Sequence, residues 1–154
     1  MNQLTNLIYE LKALKKVYKE QTVINISRLQ FHRGTIYGIV GPIGSGKSTL
    51  LKILSGLLKE SSGSLKYDNN HFKMNLFGRV KSNPEIKLVQ LDDKIKFSTI
   101  SKLLQKTPTD LTLKKHFNND ILINNSARTL KNISKGEKAL LSLLSAFELD
   151  PRVL

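Results

Sequence analysis

Nine consecutive residues in this chain could do chemistry together: Gly41-Pro42-Ile43-Gly44-Ser45-Gly46-Lys47-Ser48-Thr49. They satisfy the phosphate-binding loop pattern G-x-x-x-x-G-K-[ST] without a mismatch. Glycines at 41, 44 and 46 allow backbone conformations closed to other residues and a close approach to a ligand. Successive N–H groups can then line a concave nest sized for phosphate oxygens. A helix starting near Lys47 would add its unsatisfied N–H groups and the positive end of its dipole. Lys47 would reach the β- and γ-phosphates as a point charge, and the Ser48 hydroxyl would ligate Mg²⁺. The residue types point to a nucleotide triphosphate.

Such a loop needs a strand before it and a helix after it. Residues 35–40, Thr-Ile-Tyr-Gly-Ile-Val, form a short and mostly apolar run of the kind a buried parallel strand requires. Residues 49–58 carry apolar side chains at helical spacing. Upstream, residues 4–18 are ambiguous by period. Leu4, Leu7, Ile8, Leu11 and Leu14 fit a helix stripe, while the alternation around Leu7, Tyr9 and Leu11 fits a strand. Val23–Ile26 and Leu29–Phe31 read as two short strands, and Ser61-Ser62-Gly63 as a turn before a strand at 64–67. A short strand is expected around Phe77–Val80, and another at Ile86–Val89 ending on Gln90. Two short helices fit residues 98–117, broken at Thr107-Pro108. Ser134, followed three positions later by Glu137, forms a capping box that opens a helix with apolar residues at Leu140, Leu141, Leu143, Leu144 and Phe147. Asp150-Pro151 stops it. No repeat or linker divides the chain, so a single domain over residues 1–154 is expected.

Composition narrows the field. The chain has 154 residues, enough for one domain with a real core. With no cysteine it can form neither a disulfide nor a thiolate metal site. No apolar run approaches the ~18 residues of a membrane span, and the first residues lack the regions of a signal peptide. A cytoplasmic protein is the default expectation. The formal charge is +13, from 25 Lys+Arg against 12 Asp+Glu, and the basic residues are dispersed. Without aromatics interleaved among them they do not form a base-stacking surface, so a nucleic-acid partner is not expected. The charge does favour polyanionic ligands such as ATP.

Taken together, the loop, the strand-end glutamine and the capped helix resemble the ATP-binding subunit of an ABC transporter, over essentially the whole chain. Gly41 to Thr49 is similar to the nucleotide loop of that family, and Leu50 to Leu58 to its usual continuation. Ser62-Gly63 resembles the family's Ser-Gly turn. The resemblance implies that Tyr18 stacks on adenine and that Gln90 is the lever glutamine that contacts Mg²⁺ and positions water. It also makes Ile133-Ser134-Lys135-Gly136-Glu137 the counterpart of the signature Leu-Ser-Gly-Gly-Gln, with Ser134 to Glu137 as the residues that contact nucleotide. Lys135 and Glu137 depart from that signature, while Ser134 and Gly136 keep its hydroxyl and its small backbone.

The implied fold is α/β: a P-loop NTPase core with a mostly parallel sheet, an N-terminal antiparallel β portion and a small helical subdomain at about residues 91–133. The implied function is binding ATP with Mg²⁺ and, in a complete dimeric chain, hydrolysing it to drive solute transport. The implied partners are a second ATPase subunit in a head-to-tail dimer and a transmembrane permease, at the cytoplasmic face of a membrane and without direct insertion. The family places an Asp and then a Glu on an apolar strand after the Asp-Pro pair, and a sensor histidine further on. Residues 152–154 are Arg-Val-Leu, and His32, His71 and His116 all lie upstream. These 154 residues are therefore expected to be inactive in hydrolysis by themselves. The alternatives are an ABC-type ATPase acting on nucleic acid or ribosomes, a small P-loop kinase or GTPase, and a non-hydrolysing regulatory module.

Overall fold

The structure, a computed structural model, describes residues 6–89, 134–147 and 151–154. Gln90, the expected helices at 98–117, the insertion at 91–133 and Asp150 lie outside the described residues. The chain divides into two compact units, Met1–Asn83 and Pro84–Leu154.

In the first unit the ambiguous N-terminal segment is strand β1, Leu7–Tyr18, paired antiparallel with β2, Gln21–His32. The two segments expected as separate strands in β2 are one continuous strand. Strand β3, Ser62–Tyr67, pairs with the other edge of β1, and the two-residue β4, Asn70–His71, completes a sheet in the order β2-β1-β3-β4. The helix-like stripe of β1 has a local cause. Ala13 sits at φ 46°, and the β1–β3 register shifts between Lys12 and Lys15. The extra residue of this bulge changes the parity of the strand. Tyr9 and Leu11 before it and Leu14 after it are all buried, so an i, i+3 step that reads as helix is a strand crossing a bulge.

Gly63 lies opposite this bulge at φ 88°, where a Cβ would stand 2.2 Å from the Ala13 carbonyl oxygen. The Ser-Gly pair expected as a turn is thus the start of β3, and only glycine fits there. The β1–β2 turn places Lys19 and Glu20 at φ 43° and 70°, and the β3–β4 turn places Asp68 and Asn69 at 48° and 62°. Both are two-residue turns with positive φ at each central position, which suits the twist of a hairpin.

The core lies between this sheet and helix α1, Lys47–Leu54: Tyr9, Leu11, Leu14, Phe31, Leu65 and Tyr67 from the strands, Leu50, Ile53 and Leu54 from the helix. Burial of such side chains contributes roughly 1.5–3 kcal/mol each. Tyr9 packs edge-on to Phe31 at 6.0 Å between ring centroids. Its hydroxyl donates to the Leu54 carbonyl at 3.0 Å, tying the sheet to the end of α1.

Residues 35–40 depart from expectation. They form no strand among the described residues, and Ile36 and Val40 are 100% and 94% exposed. A parallel strand is buried only when it has neighbours at its edges and layers on its faces, and no described strand pairs with it. Tyr37 is anchored, edge-on to Phe31 at 4.8 Å with its hydroxyl 2.9 Å from the His32 amide.

In the second unit, helix α2 spans Lys135–Phe147, where the capping box placed it, with Lys138 N–H bonded to the Ser134 carbonyl at 3.0 Å. Among its residues whose side chains are described, Ser142 and Ala146, one turn apart, are buried. Ile86 pairs with Val153 in parallel, through Lys87 N–H to the Val153 carbonyl at 2.9 Å and Val153 N–H to the Glu85 carbonyl at 3.0 Å. That bridge is the part of the expected strand at 86–89 that is formed. No helix among the described residues is long and apolar enough to cross a membrane.

Candidate nucleotide-binding site

The loop at 41–49 follows the irregular run 35–40 and leads into α1. Its turn closes through Ser45 N–H to the Pro42 carbonyl at 3.2 Å. Gly44 and Gly46 sit at φ 84° and 87°, left-handed values that favour glycine. Gly46 has a second reason to be glycine, which its own spacing in the motif does not reveal. A Cβ there would stand 2.9 Å from the Val23 carbonyl oxygen and 2.9 Å from Ile24 Cδ1, because the loop rests on the start of β2.

Gly46 is also the N-cap of α1, and no side chain caps this helix. No acidic residue occupies the first turn. The N–H groups of Gly44, Gly46, Lys47, Ser48 and Thr49 meet no acceptor among the described residues. The result is a cluster of free donors at the positive end of a helix dipole. The other end of α1 is well terminated. Gly56 at φ 73°, with Leu57 N–H bonded to the Lys52 carbonyl at 2.9 Å and Gly56 N–H to the Ile53 carbonyl at 3.0 Å, makes a Schellman motif. The helix therefore stops short of residue 58, where the apolar spacing alone would have carried it.

Lys47 folds back over its own loop. Its Nζ donates to the Gly41 carbonyl at 2.8 Å, the Pro42 carbonyl at 2.7 Å and Ser45 Oγ at 3.3 Å. The ammonium is thereby held beside the free amides, where an anion would meet both. The Ser48 side chain is exposed. Tyr18, 45% exposed at the end of β1, offers an open ring, and Lys16 Nζ lies 5.1 Å from its centroid. Lys16 is in turn fixed by a 2.7 Å bond to the Lys59 carbonyl just beyond α1, a link that no sequence signal announced. Ser134, Lys135 and Gly136 are exposed at the start of α2. The Glu137 side chain and Gln90 are outside what is described. The donor set at 41–49 fits a polyphosphate with its Mg²⁺: a nest of amides, one cation and a hydroxyl.

The lantibiotic transport ATP-binding protein SrtF of Streptococcus pyogenes is 36% identical over 63 residues, covering 41% of this chain and 28% of that protein. The methionine import ATP-binding protein MetN of Campylobacter jejuni is 45% identical over 64 residues, 42% of this chain and 19% of that one. Each match spans less than a third of the curated relative. Among solved structures, cbiO1 from Clostridium perfringens, part of the ABC transporter complex cbiONQ, aligns with a TM-score of 0.70 at 20% identity, over 95% of this chain and 63% of that one. A nucleotide-free ATP-binding cassette from an ABC transporter gives 0.67 at 18% identity, over 94% and 66%. The α/β fold of these cassettes is the fold of this chain. The ABC transporter family model matches residues 24–154, and the chain belongs to that family.

Proposed function

We propose that this chain grips the triphosphate of ATP, with Mg²⁺, for a transporter subunit. The observation that carries the reading is the set of amides of Gly44, Gly46, Lys47, Ser48 and Thr49 that meet no acceptor among the described residues, with the Lys47 ammonium held beside them. Pro42, Ile43 and Ser45 shape the turn, Lys47 meets the outer phosphates, and the Ser48 hydroxyl supplies a Mg²⁺ ligand. Tyr18 stacks on the base through its exposed ring face.

The rest of the proposal follows family membership. Gln90 positions Mg²⁺ and water. Ser134, Lys135, Gly136 and Glu137 contact the nucleotide held by a second copy in a head-to-tail dimer, with the start of α2 aimed at its γ-phosphate. Hydrolysis in such a dimer relies on positioning and charge neutralisation, and it would drive a transmembrane permease from the cytoplasmic face.

Titration of a fluorescent ATP analogue in the presence of Mg²⁺ tests the site. Replacing Lys47 by alanine is expected to weaken binding by roughly tenfold or more, since charge-assisted bonds are each worth about 1.5–3 kcal/mol. Unchanged affinity in that variant would remove the proposal's foundation.

A further inference from the structure

Between β4 and the end of the first unit lies a small hairpin that the nucleotide reading does not use. Met74 pairs with Val80, and Lys81 N–H bonds the Lys73 carbonyl at 2.7 Å. Asn75 organises the tip. Its Oδ1 accepts from the Phe77 and Arg79 amides at 3.0 and 2.9 Å, its own N–H donates to the Arg79 carbonyl at 2.8 Å, and its carbonyl accepts from Gly78 N–H at 3.0 Å. The base is seated on α1's terminus, where a Cβ at Gly56 would touch the Phe72 ring at 3.0 Å and Val80 Cγ1 at 3.2 Å. A loop with this many internal bonds is a built object. What it presents is apolar: Leu76 is 101% exposed and Phe77 87%.

The flanks are basic. Lys73, Arg79 and Lys81 are exposed and make no ion pair among the described residues. No acidic residue occurs between Asp68 and Glu85, and Asp68 is paired with Arg33. Two fully presented apolar side chains ringed by free cations match a surface that is anionic outside and apolar just beneath. A protein partner would need a far wider patch, about 800 Å² per side for a stable interface. A bilayer needs only a wedge.

We propose that the hairpin tip is a membrane contact, in which Leu76 and Phe77 enter the headgroup–acyl boundary of an anionic bilayer while Lys73, Arg79 and Lys81 hold its headgroups. The contact is shallow. It goes beyond the expectation that this chain meets a membrane only through a permease, and it does not depend on nucleotide binding.

The chain has no tryptophan, so Phe77→Trp supplies a single reporter at the tip. Vesicles of phosphatidylcholine alone are compared with a phosphatidylcholine–phosphatidylglycerol mixture of roughly two to one. The expected result is a blue shift of the reporter and co-sedimentation with the anionic vesicles only. Replacing both Leu76 and Phe77 by serine should weaken that partitioning roughly tenfold or more, these side chains being exposed and outside the core. Each neutralised cation among the three should weaken it about fivefold, and Lys52→Gln, on α1, should leave it near the parent value. No vesicle binding, or binding by the double serine variant equal to that of the parent, would mean that the +13 charge alone is at work or that lipid is not the partner, and either result overturns the proposal.

Discussion

Replacing Gly46 by alanine separates two demands on one position. At φ 87° a Cβ costs roughly 1–2 kcal/mol through backbone sterics, offset by about 0.4–1 kcal/mol because alanine also restricts the unfolded chain. The same Cβ would stand 2.9 Å from Ile24 Cδ1 and 2.9 Å from the Val23 carbonyl oxygen. The isoleucine tip can swing aside. The carbonyl cannot, being part of a strand laddered to β1, and crowding of this kind costs about 1–3 kcal/mol. The expected loss is therefore about 1–4.6 kcal/mol, centred near 3 kcal/mol. Gly44 is the matched control, since it has φ 84° and nothing within 4 Å of its Cβ position. Its alanine variant should lose only about 0.5–1 kcal/mol. Urea unfolding followed by circular dichroism reads both, with stability taken from midpoints at a common slope. Equal losses in the two variants would refute the seating of the loop on β2, and with it the geometry that aims the free amides. Both substitutions should weaken ATP binding, so stability and affinity need separate measurement.

Other consequences can be checked in the same way. Gly63→Ala forces a Cβ to within 2.2 Å of the Ala13 carbonyl oxygen and should cost roughly 3 kcal/mol or more in urea unfolding. A loss under about 1 kcal/mol would mean that the Ala13 bulge is misplaced. The Lys19-Glu20 turn uses non-glycine residues at φ 43° and 70°, so a paired Lys19→Asn, Glu20→Gly change should stabilise the hairpin by about 1 kcal/mol, read as a higher urea midpoint. Glu10 accepts a hydrogen bond from Lys12 at 2.9 Å and a weaker one from Gln30, which hold its carboxyl below its ordinary 4.5. Its contribution is present above that value and lost as pH falls through the lower folded value, so Glu10→Gln should flatten the acid limb of a stability–pH curve. Burial, reinforced by Tyr67, raises Tyr9 well above the usual 10.0. The neutral phenol stabilises the fold below pH 10.0 and that stability declines as pH rises beyond it, a trend that Tyr9→Phe should remove.

Residue identity alone carried the features that depend on local backbone chemistry. Glycines at 44 and 46, a lysine and a serine after them, and an uncapped helix start specify an amide nest wherever the loop is placed. The Ser134-to-Glu137 pattern likewise announced a helix start that the fold has at Lys135, because a capping box is a feature of one local turn. Features that depend on remote partners were decided by the fold. The apolar stripe of residues 4–14 could not reveal itself as a strand, since the Ala13 bulge and its partner Gly63 are some fifty residues apart and only the β1–β3 pairing joins them. The apolar run at 35–40 spelled a buried strand, yet burial requires neighbours that a six-residue pattern cannot supply. Phe77 read as part of a short strand at 77–80, whereas the Asn75 bonds build a hairpin tip that leaves it exposed beside Leu76. Residue type sets which local conformations are cheap, and tertiary pairing sets which surfaces they meet.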